Sequence, residues 1–472
     1  MEFGWLLQGA AGLVGQTPLW LRDLGSGWPV VLGGVVVIIV LAVAALVRRH
    51  RQHVEQVLAE HVKDEATLLK DRLRQRLSEP ASLFSNGINT APTMGACEAF
   101  EGDIEAAART ILVEAGGHRA KAKQILRRKM NGHGAPNGKL NGSEVGYWRQ
   151  LGALSLLDSV SDALPAYARA ADLAPENAEA QMLAGVLYLR AGNLGAAEAA
   201  FRRQIELGKA GNGSTDAGLA RYRGHTMLGD VLSAREEHDE AKAAYAQAQR
   251  EVKSLLERDG QHVGLRRDLS VTYDRIGDMH AAKSEVDAAL ENYRSSLEIA
   301  EELVGRDPQN AVWQHDLSVG YDRIGDLLDK KGDRELALEC FRKSLAIAKA
   351  LTLRDPGNTQ WQWDLSASHD RIGDALIAQG KLADALVSYR RGLEIAETLA
   401  RRDPGHAGWQ RDLAVSYHKI GSLEAIDNPA EARELLEKGR AIIDRLAQIA
   451  AHQAQWRSDL SRFDEVLKTL DG

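Results

Sequence analysis

One phrase, rewritten at a fixed interval, constrains this chain more than anything else in it. "DLSVTYDRIGD" begins at Asp268, "DLSVGYDRIGD" at Asp316 and "DLSASHDRIGD" at Asp364. The Asp-Leu pair returns at Asp412 and Asp459, so the steps are 48, 48, 48 and 47 residues. Glycines keep the same interval at Gly277, Gly325, Gly373 and Gly421, with an earlier copy at Gly229. Trp313, Trp361, Trp409 and Trp456 each stand three residues ahead of their aspartate. Tyr293, Phe341 and Tyr389 keep step, as do Pro308, Pro356 and Pro404. A catalytic signature is normally written once. A fixed period marks a structural unit stacked on copies of itself.

Each mark has a physical place. Proline lacks a backbone donor, so "RDPQN", "RDPGN" and "RDPGH" read as loops between helices. The glycine of "RIGD" lets a neighbouring helix come close, and Gly332 and Gly380 turn the first helix of a unit into the second. Ala337 and Ala385 are expected at the close contact made by the second helix. The aromatic four residues later is expected to fill the space between units. Composition agrees with helix: 44% of residues are hydrophobic, only 5% aromatic, and alanine and leucine are plentiful. One unit buries too little apolar surface to offset its ordering entropy, whereas a stack buries enough.

Ile324 and Gly325, Gly332, Ala337 and Phe341 fall at the spacing of the tetratricopeptide repeat, and this part of the chain resembles that family. Leu151-Gly152 with Tyr167, and Ala184-Gly185 with Phe201, resemble shorter units of the same kind. The resemblance spans roughly residues 145–470. It implies an all-α fold, a helical-repeat superhelix or TPR-like solenoid, that binds proteins and catalyses nothing. One departure is the length: these units have 48 residues, against ~34 in the usual repeat. An excess of 14 residues is close to two added turns on each helix, at about 3.6 residues per turn. Long-helix arrays of this sort are similar to those attached to bacterial signalling and conflict proteins. The last unit, "WRSDLSRFDEVLKTLDG", has no second helix and reads as a solvating cap.

The amino-terminal region breaks the soluble pattern. Residues 28–47, "WPVVLGGVVVIIVLAVAALV", carry no charge, and as a helix they would extend about 30 Å, the thickness of a hydrocarbon core. The spacing predicts a single transmembrane helix preceding the array. "RRHR" at Arg48–Arg51 places that side in the cytoplasm, so the expected topology is single-pass in a bacterial inner membrane, amino terminus outside and array inside. The expected organisation is an outer leader at 1–27, the span at 28–47, a juxtamembrane helical stalk at 48–80 and a linker at 81–97. A helical hairpin at 98–130, a flexible linker at 131–143 and the repeat array at 144–472 follow. The stalk's stripe, Val54, Leu58, Val62, Leu69, Leu73 and Leu77, has two readings: a dimerising surface, or a helix packed on its own chain.

Chemistry-bearing motifs are scarce. There is no phosphate-binding loop, no HExxH, no CxxC and no GxSxG, and the fourteen histidines are scattered. Cys97 and Cys340, far apart, make neither a disulfide framework nor a metal quartet, which points to a reducing compartment. The expectation is therefore no enzyme, no cofactor and no metal. In the family that these repeats resemble, the positions three and two before and one after the helix A glycine look into the concave groove. These are Asp274, Arg275 and Asp278; Asp322, Arg323 and Asp326; and Asp370, Arg371 and Asp374, with His418, Lys419 and Ser422 departing in the next unit. As a groove, six aspartates would draw a basic peptide or protein. As a ladder, the aspartates of one unit would pair with the arginine of the next. The helix at 119–129 carries six basic residues, which suits anionic lipid; it lacks the interleaved aromatics that single-stranded nucleic acid requires. The net charge of −7 gives no global argument for nucleic acid. Two functions fit: a membrane-anchored adaptor that recruits a partner protein, or a membrane-associated homo-oligomer assembled through stalk or array.

Overall fold

A computed structural model describes residues 60, 62–74, 77, 94–132, 142–211, 213–449 and 454–471. The predicted leader and the predicted span at 28–47 lie outside these residues. Among the described residues no helix is long and apolar enough to cross a membrane. The chain divides into two compact units, residues 1–78 with 100–163, and residues 79–99 with 164–472.

The smaller unit is helical. Residues 62–74 form a helix whose Lys70 and Arg74 reach Glu105 and Glu101 at 2.8 and 2.7 Å. Those glutamates lie on α1 (Met94–Arg109). Leu69, Leu73 and Leu77 are buried within the chain. For these three leucines the second reading of the stalk is therefore the structure's own: the stripe packs on its own domain. A π-helical turn, Thr110–Glu114, follows α1 and leads through Gly116 and Gly117, both at positive φ, into α2 (Arg119–Gly132). Phe100, Ile104, Ile111, Ala122 and Leu126 are fully buried. In α2, Lys123 pairs with Asp158 at 2.7 Å and Lys129 with Glu114 at 2.6 Å, while Lys121, Arg127 and Arg128 are exposed. Next comes α3 (Gly142–Leu156), whose Arg149 meets the buried Asp103 at 2.9 Å.

The larger unit is a stack of antiparallel helix pairs. After α4 (Val160–Leu173) come α5 (Ala178–Arg190) and α6 (Leu194–Ala210), then α7 (Thr215–Ala234) and α8 (His238–Arg258). The periodic region supplies α9 (Val263–Ala282), α10 (Val286–Arg306), α11 (Ala311–Lys331), α12 (Arg334–Arg354), α13 (Thr359–Ala378) and α14 (Leu382–Arg402). It closes with α15 (Ala407–Glu424), α16 (Pro429–Ile449) and α17 (Ala454–Asp471). Helices α9 to α14 each have 20 or 21 residues, against 13 in α5 and 17 in α6. From α5 to α17 each helix packs on the next.

The loop marks work as caps. Asn310 accepts from the backbone N–H groups of Val312 and Trp313 at 3.1 and 3.2 Å, and Asn358 does the same for Gln360 and Trp361. His262 and His406 replace asparagine in their units, accepting through Nδ1 from Leu265 and Trp409. In four successive units the turn between the two helices falls on a positive-φ residue: Glu236 at 63°, Ser284 at 60°, Gly332 at 93° and Gly380 at 75°. The left-handed conformation is therefore a property of the position. Where glutamate or serine fills it, the stack imposes it against a cost of about 1–2 kcal/mol.

The helix A glycine and the helix B aromatic meet within a unit, not between units as the spacing suggested. A Cβ placed on Gly325 would lie 2.5 Å from the Phe341 ring, on Gly373 2.3 Å from Tyr389, and on Gly277 2.5 Å from Tyr293. The ring crosses onto bare backbone of its own hairpin, which is why the column admits no side chain. Around these rings Ile324, Leu328, Ala337, Ile372, Ala385 and Ile420 form one continuous buried cluster across several units. Each such Leu, Ile or Phe contributes roughly 1.5–3 kcal/mol by leaving water.

Candidate functional site

The candidate residues sit on the first helices of successive units, and the structure joins them into a ladder. Arg323 of α11 reaches back to Asp274 and Asp278 of α9, at 2.9 and 3.4 Å. Arg371 of α13 reaches back to Asp322 and Asp326 of α11, at 3.4 and 3.3 Å. Arg275 of α9 meets Asp230 of α7 at 3.2 Å, and Lys419 of α15 meets Asp374 of α13 at 2.8 Å. The two central rungs are each an aspartate pair on one unit and an arginine on the next, and the two outer rungs each join one aspartate, Asp230 or Asp374, to one cation. These groups are mostly enclosed: the side chain of Arg323 is 21% exposed and those of its two aspartates 22% and 29%. Such pairs fall between the solvent-exposed case, about 0–1 kcal/mol, and the buried case in which losing one partner costs about 3–5 kcal/mol.

Tyrosines fix the lower carboxylates from inside the unit. Tyr245 donates to Asp230, Tyr293 to Asp278 and Tyr389 to Asp374, at 2.7, 2.7 and 2.5 Å. The same rings carry the cation of the next unit on their faces: Arg323 lies 5.6 Å from the Tyr293 centroid and Lys419 5.1 Å from that of Tyr389. Phe341 supplies no hydroxyl, so among the described residues the side chain that meets Asp326 is Arg371. Burial raises the pKa of Asp274, with Arg323 opposing it, and raises that of Asp322 to about 6 against Arg371. Burial also raises Asp326, against Arg371. Arg323 is held above its ordinary value: burial lowers it, but Asp278 and Asp274 outweigh that.

A second ladder, invisible while the Asp-Leu pair was only a period marker, runs along the same helices with opposite polarity. The residue just before each Asp-Leu meets the aspartate of the following unit. Arg267 meets Asp316 at 2.5 Å, His315 meets Asp364 at 3.1 Å, Trp363 Nε1 donates to Asp412 at 2.7 Å, and Arg411 meets Asp459 at 2.9 Å. The donor column varies between arginine, histidine and tryptophan while the acceptor stays aspartate. Burial lowers the pKa of His315, but its hydrogen bond to Asp364 prevails and the imidazole sits above its usual value. Among the described residues no group of His, Cys, Asp or Glu is arranged to hold a metal ion. The arrangement can bind through charge and shape.

Residues 157–212, 270–310 and 320–351 each match the tetratricopeptide repeat family. Similar solved structures include the apo form of RapI, 12% identical over 80% of this chain and 98% of that one, with a TM-score of 0.49. BtubC from P. vanneervenii is 16% identical over 51% of this chain and 89% of that one, TM-score 0.41. A tetratricopeptide repeat protein from Parabacteroides merdae is 16% identical over 68% of this chain and 99% of that one, TM-score 0.40. A search of curated proteins finds no match. With the matched segments and the stacked helix pairs together, the chain carries tetratricopeptide repeats, built as an all-α helical-repeat scaffold of the kind that mediates protein–protein interaction.

Proposed function

We infer that this protein is a single-pass, membrane-anchored scaffold whose array of 48-residue tetratricopeptide-type units recruits a partner protein at the cytoplasmic face of a bacterial inner membrane. The observation that carries the scaffold reading is the ladder pair: first helices of successive units are locked in register by charge, so they hold a long, rigid, polar surface in one shape. A preformed surface lowers the ordering cost of binding. Support for the anchor is the uncharged stretch at 28–47, followed directly by Arg48, Arg49 and Arg51. Exposed Lys121, Arg127 and Arg128 on α2 suit anionic head groups nearby.

The test uses the full chain and a version lacking residues 28–47. The full chain is expected to stay with membranes through alkaline carbonate extraction and to expose its carboxy-terminal array to protease only from the cytoplasmic side. The shortened version is expected in the soluble fraction. Release of the full chain by carbonate defeats the anchor. Light scattering of the detergent-solubilised chain is expected to give one concentration-independent size; growth with concentration would replace recruitment by self-assembly.

A further inference from the structure

The array's charge code breaks at one rung. Asp274, Asp322 and Asp370 occupy one column of the 48-residue period. The first two meet an arginine from the next unit, and Ser296 and Ser344 of their own second helices also favour their charged forms. At Asp370 both columns have changed. The cation column holds Lys419, which is engaged by Asp374 at 2.8 Å, and the serine column holds Gly392. Asp370 Oδ1, like Asp274 Oδ1 and Asp322 Oδ1, is buried without a hydrogen-bond partner; what sets Asp370 apart is that, among the described residues, no arginine meets its other oxygen, and a Cβ on Gly392 would lie 2.9 Å from Oδ1.

This carboxyl lines a cavity of about 80 Å³ among α13, α14 and α15, together with Trp363, Ser366, Trp409 and Asp412. That is room for the end of one side chain. Both indoles are oriented: Trp363 by its hydrogen bond to Asp412, Trp409 by stacking on His406 with ring centroids 4.1 Å apart. Trp363 remains 39% exposed. The cations around the cavity are engaged elsewhere, Arg371 with Asp322 and Asp326, Arg411 with Asp459 and Lys419 with Asp374. Two carboxyls and two indole faces thus border a space that no cationic side chain of the described residues lines. Carboxylates and aromatic faces share one preference, a cation with an apolar stem.

Resting on the scaffold reading above, we propose that this cavity takes the end of one basic side chain, arginine or lysine, presented by the partner protein. Asp370 and Asp412 are its counter-charges and Trp363 and Trp409 its walls.

Panning the detergent-solubilised full chain against a random peptide library, and measuring the selected peptides by fluorescence anisotropy, tests this. The selected peptides are expected to share one basic residue, whose replacement by glutamine weakens binding at least tenfold. Asp370→Asn and Gly392→Ser, the second supplying an internal donor to Asp370, are each expected to remove that tenfold difference while circular dichroism stays unchanged. If the peptides bind but glutamine serves as well as the basic residue, or both variants leave the difference intact, the cavity assignment falls and the scaffold stands. If no peptide of any composition binds, protein recruitment itself falls and the cavity with it.

Discussion

At the scale of single residues, Asp370 is where the repeat departs from its own rule, with Gly392 and Lys419 in place of the serine and arginine of the preceding units. Burial raises its pKa to about 6, with Lys419 opposing. The unfolded chain would release this proton near the ordinary aspartate value of about 3.9. At pH 7 both states are ionised and the folded protein bears the whole desolvation cost. Below pH 6 the folded state takes up a proton first, and the cost fades until about pH 4. Asp370→Asn is therefore expected to be more stable than the parent at pH 7, by on the order of 2 kcal/mol, and equal to it near pH 4. Denaturant midpoints of both proteins across that range check this; a difference that is constant with pH would show that the carboxyl is not the cause. The aspartate itself was legible in the sequence as a member of a column. Its isolation was not, because that depends on Gly392 and Lys419, which are unremarkable until the hairpin places them around it.

Among the elements, the hairpin between a first helix and its second is the unit of packing. Gly325 is buried in the middle of α11, where glycine is a poor helix former by about 1 kcal/mol relative to alanine. Propensity alone makes Gly325→Ala stabilising. The Phe341 ring, 2.5 Å from the would-be Cβ and itself 3% exposed, makes the opposite sign prevail. We expect a net loss of about 1–3 kcal/mol, from overpacking, measured by thermal or urea unfolding, and recovery of most of it when Phe341→Leu is added. A stabilised single variant would mean that the hairpin opens easily. The glycine and the aromatic were each visible in the period; that they touch one another, inside one unit, was not. Sequence spacing reports the interval between copies and is silent on whether a ring leans back onto its own hairpin or forward onto the next.

Across the whole array, nearest-neighbour packing implies that stability is built up unit by unit and lost from the ends. The terminal helix α17 shields the last pair, burying Trp456 and Phe463 with Leu436, Ile443 and Leu446. Removing residues 454–471 is expected to raise amide hydrogen exchange tenfold or more across α15 and α16 while leaving α9 to α12 unchanged. Exchange that rises uniformly along the array would mean one cooperative block instead of a series of units.

The period of 48 residues, with its prolines, glycines and aromatics, was enough by itself to determine an all-α stack of helix pairs, because each copy has to bury the same face and loops have to fall where proline removes a donor. The proposed membrane span rests on the uncharged composition of residues 28–47, which lie outside the described residues. Only the tertiary structure decided what the charged columns do. Aspartates in one unit and an arginine 45 or 49 residues later are equally spaced whether they face a ligand or each other. The choice depends on the rotation and offset of neighbouring first helices, which bring Arg323 and Arg371 within ion-pair distance of the preceding unit and leave Asp370 beside an open cavity. Electrostatic partnership is a matter of a few ångströms in space, and a one-dimensional period cannot specify distances across a helix–helix interface.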